Sequence, residues 1–192
     1  MFAENGAMNM PNSSESPVAR TVDLDRYVPA YLTWIANKLS RGASQHYLLH
    51  FDVGIETWRC MVLLTVEGEV TAQHVSKVIG MDKAAVSRCF KSMQERGFIR
   101  TSLDPSDGRA RVAMLTAKGR ALHDRIRDVA LERERSFLSV LDRAERETLI
   151  DLLRRLHENL PAVETATANY IEENISTVAK ARRRKATSPD QD

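Results

Sequence analysis

The chain has 192 residues, enough for one domain with additional helices, and its 43% hydrophobic and 28% charged content is that of a globular protein rather than a disordered or fibrous one. A formal net charge of +2 excludes a polyionic chain, but between Asp82 and Arg127 eleven lysines and arginines stand against five acids, a local basic excess of the kind that binds phosphate. The N-terminus lacks a basic segment followed by an apolar one, and no apolar run approaches the roughly 18 residues of a membrane span, so the expected location is the cytoplasm, away from membranes.

Residues 1–20 are polar and aperiodic and are expected to form a disordered leader. Val28, Tyr31, Leu32, Ile35 and Leu39 then recur at helical spacing, one face of a long first helix. Ile55 to Val66 is almost wholly apolar and too long for a typical buried strand, so a core helix is predicted there. Next comes a short helix over residues 71–79, with Thr71 as N-cap and Val75, Val78 and Ile79 inward. Gly80, Met81 and Asp82 make a tight turn in which Gly80 takes the left-handed conformation and Asp82 caps the following helix. That helix runs from Lys83 to Arg96 with Val86, Phe90 and Met93 inward, and Gly97 ends it. Phe98–Leu103 and Arg111–Leu115 flank a connection rich in Pro, Asp and Gly, which predicts a β-hairpin.

Beyond the hairpin, Leu122, Ile126, Val129, Phe137 and Leu141 continue a helical stripe. Leu149, Ile150, Leu152, Leu153, Leu156 and Leu160 form another, which Pro161 is expected to end. One further helix is expected over residues 162–176, and then a disordered tail carrying the basic run Ala-Arg-Arg-Arg-Lys at 181–185. Cys60 and Cys89 stand in no metal or redox spacing, which fits a reducing compartment; Cys60 is read as packing and Cys89 as a core-edge residue. The five histidines have no metal-ligand spacing, and no phosphate loop or nucleophile-and-base motif is visible, so no metal, cofactor or catalytic site is expected and the chain is not read as an enzyme.

Two short helices joined by a Gly-containing turn make a helix-turn-helix. Lys83, Ala84, Ala85, Ser87, Arg88 and Lys91 lie on the outward face of its second helix. Small residues let such a helix approach the floor of a major groove, where Arg88 can bind guanine O6 and N7 bidentately and Ser87 can serve base or phosphate. A hairpin with a basic tip directly after it makes a winged helix. Asp107 and Arg109 are two residues apart at that tip, so the carboxylate can orient the guanidinium toward a narrow minor groove.

Several segments resemble the MarR family of regulators. They are Trp58-Arg59, Asp82-Lys83-Ala84-Ala85-Val86-Ser87-Arg88, Arg96-Gly97-Phe98-Ile99, Asp104 through Arg109, and Leu115-Thr116-Ala117-Lys118-Gly119-Arg120. Gly108 departs from the pattern, where a second arginine is expected. The resemblance implies a mostly α fold with a small β-wing, in which N- and C-terminal dimerisation helices flank a winged helix-turn-helix domain. The implied plan is a leader over 1–20, the first helix over 21–53, the DNA-binding domain over 54–115, dimerisation helices over 116–175 and a basic tail over 176–192. Double-stranded DNA bearing a pseudo-palindromic operator is the implied partner of a homodimer. The DNA-contact set is Thr71, Gln73, Lys83, Ala84, Ser87, Arg88, Lys91, Asp107 and Arg109. By the resemblance alone, a phenolic or aromatic-acid effector would release the DNA, with Trp34, Asn37, Lys38, Arg41, Ser44 and Trp58 as its contacts. The competing readings are a nucleoid-type architectural protein without effector control and a winged helix that binds protein.

Overall fold

The computed structural model of the chain describes residues 21–103, 108 and 110–175. The expected leader and tail, and wing-tip residues 104–107 and 109, lie outside the described residues. The chain divides after Arg127 into two units. The first contains α1 (Val28–Phe51), α2 (Ile55–Glu67), β1 (Val70–Thr71), α3 (Ala72–Ile79), α4 (Lys83–Glu95), β2 (Ile99–Leu103) and β3 (Arg111–Leu115), and it closes within α5 (Ala117–Phe137). The second contains the rest of α5, α6 (Arg143–Glu158) and α7 (Leu160–Asn174). The architecture is thus mostly α with a small antiparallel sheet, strand order β1-β3-β2.

In the first unit every element presents one apolar face to a common core. Cys60, Met61 and Leu64 of α2, Val75 of α3, and Val86, Phe90 and Met93 of α4 are buried in it. Ile99, Val112, Ala113 and Leu115 close it from the sheet, and Leu122 and Ile126 from α5. These are the positions that helical and period-2 spacing bring to one side. Val78 is a correction: it is 42% exposed. The two-turn α3 packs through Val75, and Val78 falls at the edge of that narrow face.

The hairpin pairs Ile99 with Leu115 and Leu103 with Arg111. Phe98, expected in the strand, instead lies buried in the turn before it. A third strand was not expected: Val70 pairs with Ala113 and Thr71 with Val112. In the second unit, α6 opens with a capping box: the Asp142 carboxylate accepts from Glu145 N–H at 2.9 Å and Glu145 reaches back to Asp142 N–H at 2.8 Å. Leu141 lies in the connection before that cap rather than in α5. Pro161 does not end the final chain of leucines but sits in the first turn of α7, where its missing N–H breaks no helical bond.

The end of α4, the start of β2 and the start of α5 meet at one point. The Thr116 N–H donates to the Phe98 carbonyl at 3.0 Å, and the Thr116 hydroxyl donates to the Gly97 carbonyl at 2.7 Å while accepting from Gly119 N–H at 3.1 Å. Gly119 is buried here because a Cβ would stand 2.0 Å from the Phe98 carbonyl oxygen. That oxygen is backbone and cannot swing aside. Gly119→Ala should therefore cost about 3 kcal/mol of stability, at the upper end for overpacking. Gly80→Ala, which meets open space but must hold a positive φ of 66°, should cost about 1 kcal/mol. Urea unfolding of both variants checks the order; equal midpoints for Gly119→Ala and wild type would show that α5 slides freely on the hairpin.

Candidate nucleic-acid interface

The α3–turn–α4 segment is set by local hydrogen bonds that the sequence supplies at each boundary. The Thr71 hydroxyl accepts from His74 N–H at 3.1 Å, starting α3. Gly80 ends α3 in the left-handed conformation, φ 66°. The Ser76 hydroxyl donates to the Met81 carbonyl at 2.6 Å, closing the turn onto α3. The Asp82 carboxylate accepts from Ala85 N–H at 3.0 Å, starting α4. At the far end the chain leaves α4 through Gly97, φ 73°. There the Arg96 guanidinium donates to the Asp52 carbonyl at 2.6 Å and the Asp52 carboxylate at 3.0 Å, joining the ends of α4 and α1.

With Val86, Phe90 and Met93 inward, the opposite face of α4 is presented to solvent. Lys83, Ala84, Ser87, Arg88 and Lys91 are all exposed on it. Lys91 lies 4.0 Å from Glu95, a loose pair with both side chains mostly in water, worth little. Lys83 and Arg88 have no ion-pair partner among the described residues. Gln73 is exposed in the first turn of α3, and Thr71 is half-buried with its hydroxyl occupied by the cap. Exposed Arg100 and Arg111 add two cations on the hairpin strands that the sequence reading left out, although period-2 alternation could have found them. Asp107 and Arg109, the expected wing-tip contacts, lie outside the described residues.

The expected ligand contacts lie on α1 and, for Trp58, on α2. Trp34 is 44% exposed and packs edge-on against Tyr31 at 5.7 Å. Asn37, Lys38 and Arg41 are exposed and Ser44 is half-buried. Trp58 instead stacks on the buried His123 ring at 5.3 Å and meets Tyr47 edge-on at 5.9 Å. His123 Nδ1 in turn lies 3.0 Å from the Asp124 carboxylate. A cleft of about 330 Å³ opens elsewhere, lined by Phe51, Phe98, Lys118, Ala121, Leu122 and Arg125. Its cations lie over its rings: Lys118 Nζ is 5.2 Å from the Phe98 centroid, and the Arg125 guanidinium is 5.2 Å from that of Phe51. Sequence spacing carries no signal for this cleft, because its residues come from two helices, α1 and α5, and from the turn before β2.

A family model described as MarR family matches residues 51–110, which run from the end of α1 through the helix-turn-helix into the wing. A crystal structure of a MarR/EmrR family transcriptional regulator from Acinetobacter sp. ADP1 is 32% identical, with a TM-score of 0.68, over 73% of this chain and 99% of that one. Bordetella bronchiseptica BpsR, whose structure is described as a mechanism for regulation of its DNA binding by 6-hydroxynicotinic acid, is 23% identical with a TM-score of 0.62, over 71% of this chain and 97% of that one. An uncharacterized HTH-type transcriptional regulator of Bacillus subtilis, YdgJ, is 31% identical over 107 residues; the match takes in 54% of this chain and 63% of that relative's length.

The Asp82 cap should be separable from its neighbours by mutation. Asp82→Ala leaves the Ala85 N–H without its side-chain acceptor and should lower stability by about 1 kcal/mol. Asp82→Asn keeps an acceptor at that position and should lose only a fraction of that. Chemical denaturation of both variants measures the difference, and an Asp82→Ala midpoint equal to that of wild type would mean that water replaces the cap without cost.

Proposed function

The chain belongs to the MarR family of DNA-binding winged-helix transcription regulators, and from that premise we propose that it is a homodimeric repressor that binds a pseudo-palindromic operator and is released by a small aromatic ligand. The observation that carries the DNA reading is the outward face of α4. It offers small residues at Ala84 and Ser87, beside Lys83 and Arg88, which have no ion-pair partner among the described residues, on a helix fixed at both ends. A helix of this kind fits a major groove, with Arg88 on a guanine edge and Lys83 and Lys91 on phosphates. Gln73, Thr71 and the wing pair Asp107 and Arg109 complete the proposed contact set.

Dimerisation is supported by apolar surface that the single chain leaves open. Val28, Tyr31, Leu32 and Ile35 of α1 are 54, 44, 43 and 40% exposed. In the second unit Ile150, Leu153 and Leu156 of α6 and Val163 and Ile171 of α7 are similarly exposed. Contiguous apolar faces of this extent mark an interface, and a second copy is the partner that the family supplies. The ligand reading is supported by what BpsR's description says of 6-hydroxynicotinic acid, and by two places with suitable chemistry. One is the face of α1 that carries Trp34, Asn37, Lys38, Arg41 and Ser44, with Trp58 on α2; the other is the Phe51–Arg125 cleft. No helix among the described residues is long and apolar enough to cross a membrane.

Operator binding at several salt concentrations tests the DNA reading. Arg88→Ala should cost about 1–3 kcal/mol per half-site and relax preference at one base position. Arg109→Ala should weaken binding to most sequences and reduce the salt slope by about one unit per wing. An Arg88→Ala protein that still separates matched from shuffled sites would overturn the assignment of α4. Wild type binding all sequences alike would leave an architectural protein in place of a repressor. For the dimer, sedimentation at micromolar concentration should give twice the monomer mass, and Leu32→Glu on α1 should shift it toward the monomer; a wild-type monomer would refute the assembly.

A further inference from the structure

Two phenylalanine rings hold two cations of α5 apart. The Arg125 guanidinium lies 5.2 Å from the ring centre of Phe51, at the end of α1. Lys118 Nζ lies 5.2 Å from the ring centre of Phe98 and donates to the Arg96 carbonyl at 2.8 Å, beside the turn after α4. Both cations are exposed on one face of α5, and a separation of seven residues sets their Cα atoms about 10 Å apart along the helix. Ala121 stands between them, three residues after Lys118 and four before Arg125, with Leu122 buried beside it. An alanine side chain ends at Cβ, so an apolar floor is left between the two charges, with the cleft of about 330 Å³ above it.

The charge of this cleft is one-sided. None of the described residues that line it is acidic. The acids next to it in sequence are engaged elsewhere, Asp52 with Arg96 and Asp124 with Arg127 and His123. Arg125 makes no hydrogen bond or ion pair among the described residues. Lys118 uses one of its three N–H groups on the Arg96 carbonyl. A ring face orients a cation without neutralising it. Each end of the floor therefore carries a placed positive charge that still has donors to offer.

We propose that this cleft binds a flat, two-headed organic anion, whose body lies on Ala121 and Leu122 and whose acidic groups, at opposite ends, bind Lys118 and Arg125. The proposal deepens the ligand half of the reading above. It chooses the cleft over the face of α1, and it names two opposed charges where that reading names only a small aromatic ligand. A one-headed acid satisfies one cation and leaves the other with its ring alone, so it forgoes half of the charge-assisted contacts. A diacid with both groups on one side meets one head only, because the rings that hold the heads belong to different parts of the chain. Phe51 is the last residue of α1, Phe98 lies in the turn before β2, and both cations come from α5. The two-headed ligand thus joins three parts of the first unit.

The test is calorimetric titration of the full chain with three acids that share one flat body: naphthalene-2,6-dicarboxylate, naphthalene-2,3-dicarboxylate and 2-naphthoate. The opposed diacid should bind about tenfold tighter than either of the others, the worth of one hydrogen bond to a charged group. Arg125→Met and Lys118→Met should each bring it down to the level of 2-naphthoate. Ala121→Leu, which fills the floor and leaves both charges, should abolish binding of all three. Arg125 carries no hydrogen bond among the described residues, so Arg125→Met decides the matter even if Lys118→Met, which strips the Arg96 carbonyl of its donor, folds poorly. Equal affinity for the two diacids, undiminished binding by Arg125→Met, or no binding of the opposed diacid to wild type would each overturn the proposal. Binding that survives Arg125→Met but is lost in the double variant Lys38→Met, Arg41→Met would place the ligand on α1, overturning the cleft and leaving the ligand reading in force. Release of a duplex that the protein selects from a random pool, tried with one-headed aromatic acids, tests that reading separately, so that either can fail alone.

Discussion

The close approach of α5 to the hairpin is the constraint on which the first unit depends. Gly119 lets the α5 backbone lie against the Phe98 carbonyl, and the Thr116 hydroxyl stitches the two together from the α5 side. Phe98 is the residue after Gly97, through which the chain leaves α4, so the same contact fixes the direction in which α4 hands over to the hairpin. Lys118 Nζ donates to the Arg96 carbonyl at 2.8 Å, and Arg96 reaches on to Asp52 at the end of α1. The Arg96–Asp52 ion pair is the weaker member of this chain. The Asp52 carboxylate is almost entirely in water, and such pairs contribute at most about 1 kcal/mol. Packing against an immovable carbonyl therefore positions the unit, and the charges refine it.

That arrangement divides the labour on α4. Its inward residues recur at three- and four-residue spacing and are consumed by the core, leaving the other side without structural duty. The caps make this possible, because a helix of 13 residues cannot rely on its own propensity and must be held at both ends. Asp82 also places a negative group at the positive end of the helix dipole, so the cations Lys83 and Arg88 are not needed to stabilise the helix and can be spent on an anion outside it. The two thiols sit on the boundary between these duties: Cys60 belongs to the core, and Cys89 adjoins the solvent face.

What was legible in the sequence follows from how local each determinant is. The helix-turn-helix could be read because Thr71, Gly80, Asp82 and Gly97 each act within four residues of themselves, and the structure uses all four as boundaries. The hairpin could be read from its turn residues and alternation, in register from Ile99–Leu115 to Leu103–Arg111. Strand β1 could not, because two residues carry no period, and Val70 and Thr71 become a strand only by pairing with Ala113 and Val112. Pro161 opens α7 rather than ending the stripe before it, and a proline that ends one helix has the same local signature as one that opens the next. The contact between Thr57 and Cys89 and the Phe51–Arg125 cleft were invisible for a stronger reason: each exists only where separate parts of the chain are brought together.

The apolar stripes of α1 and of α6 and α7 show the limit of periodicity from the other side. Helical spacing identified which residues share a face, and the helices formed where that spacing ran. Yet a stripe states only that a face seeks burial, not whether it finds it within the chain. For α2 and α4 the answer is internal, with Cys60, Met61, Leu64, Val86 and Met93 almost fully removed from water. Val28, Tyr31 and Ile35 carry the same pattern and remain 40% or more exposed. One rule of spacing thus yields a core in one place and an open face in another. The difference lies in chain length and topology: the core of α2–α4 is closed by a hairpin and a helix that follow directly, whereas α1 precedes every element that could cover its outer side. A face left open by topology keeps its apolar surface in water at a cost of roughly 25 cal/mol for each Å², so covering it from outside the single chain would lower the free energy by that amount.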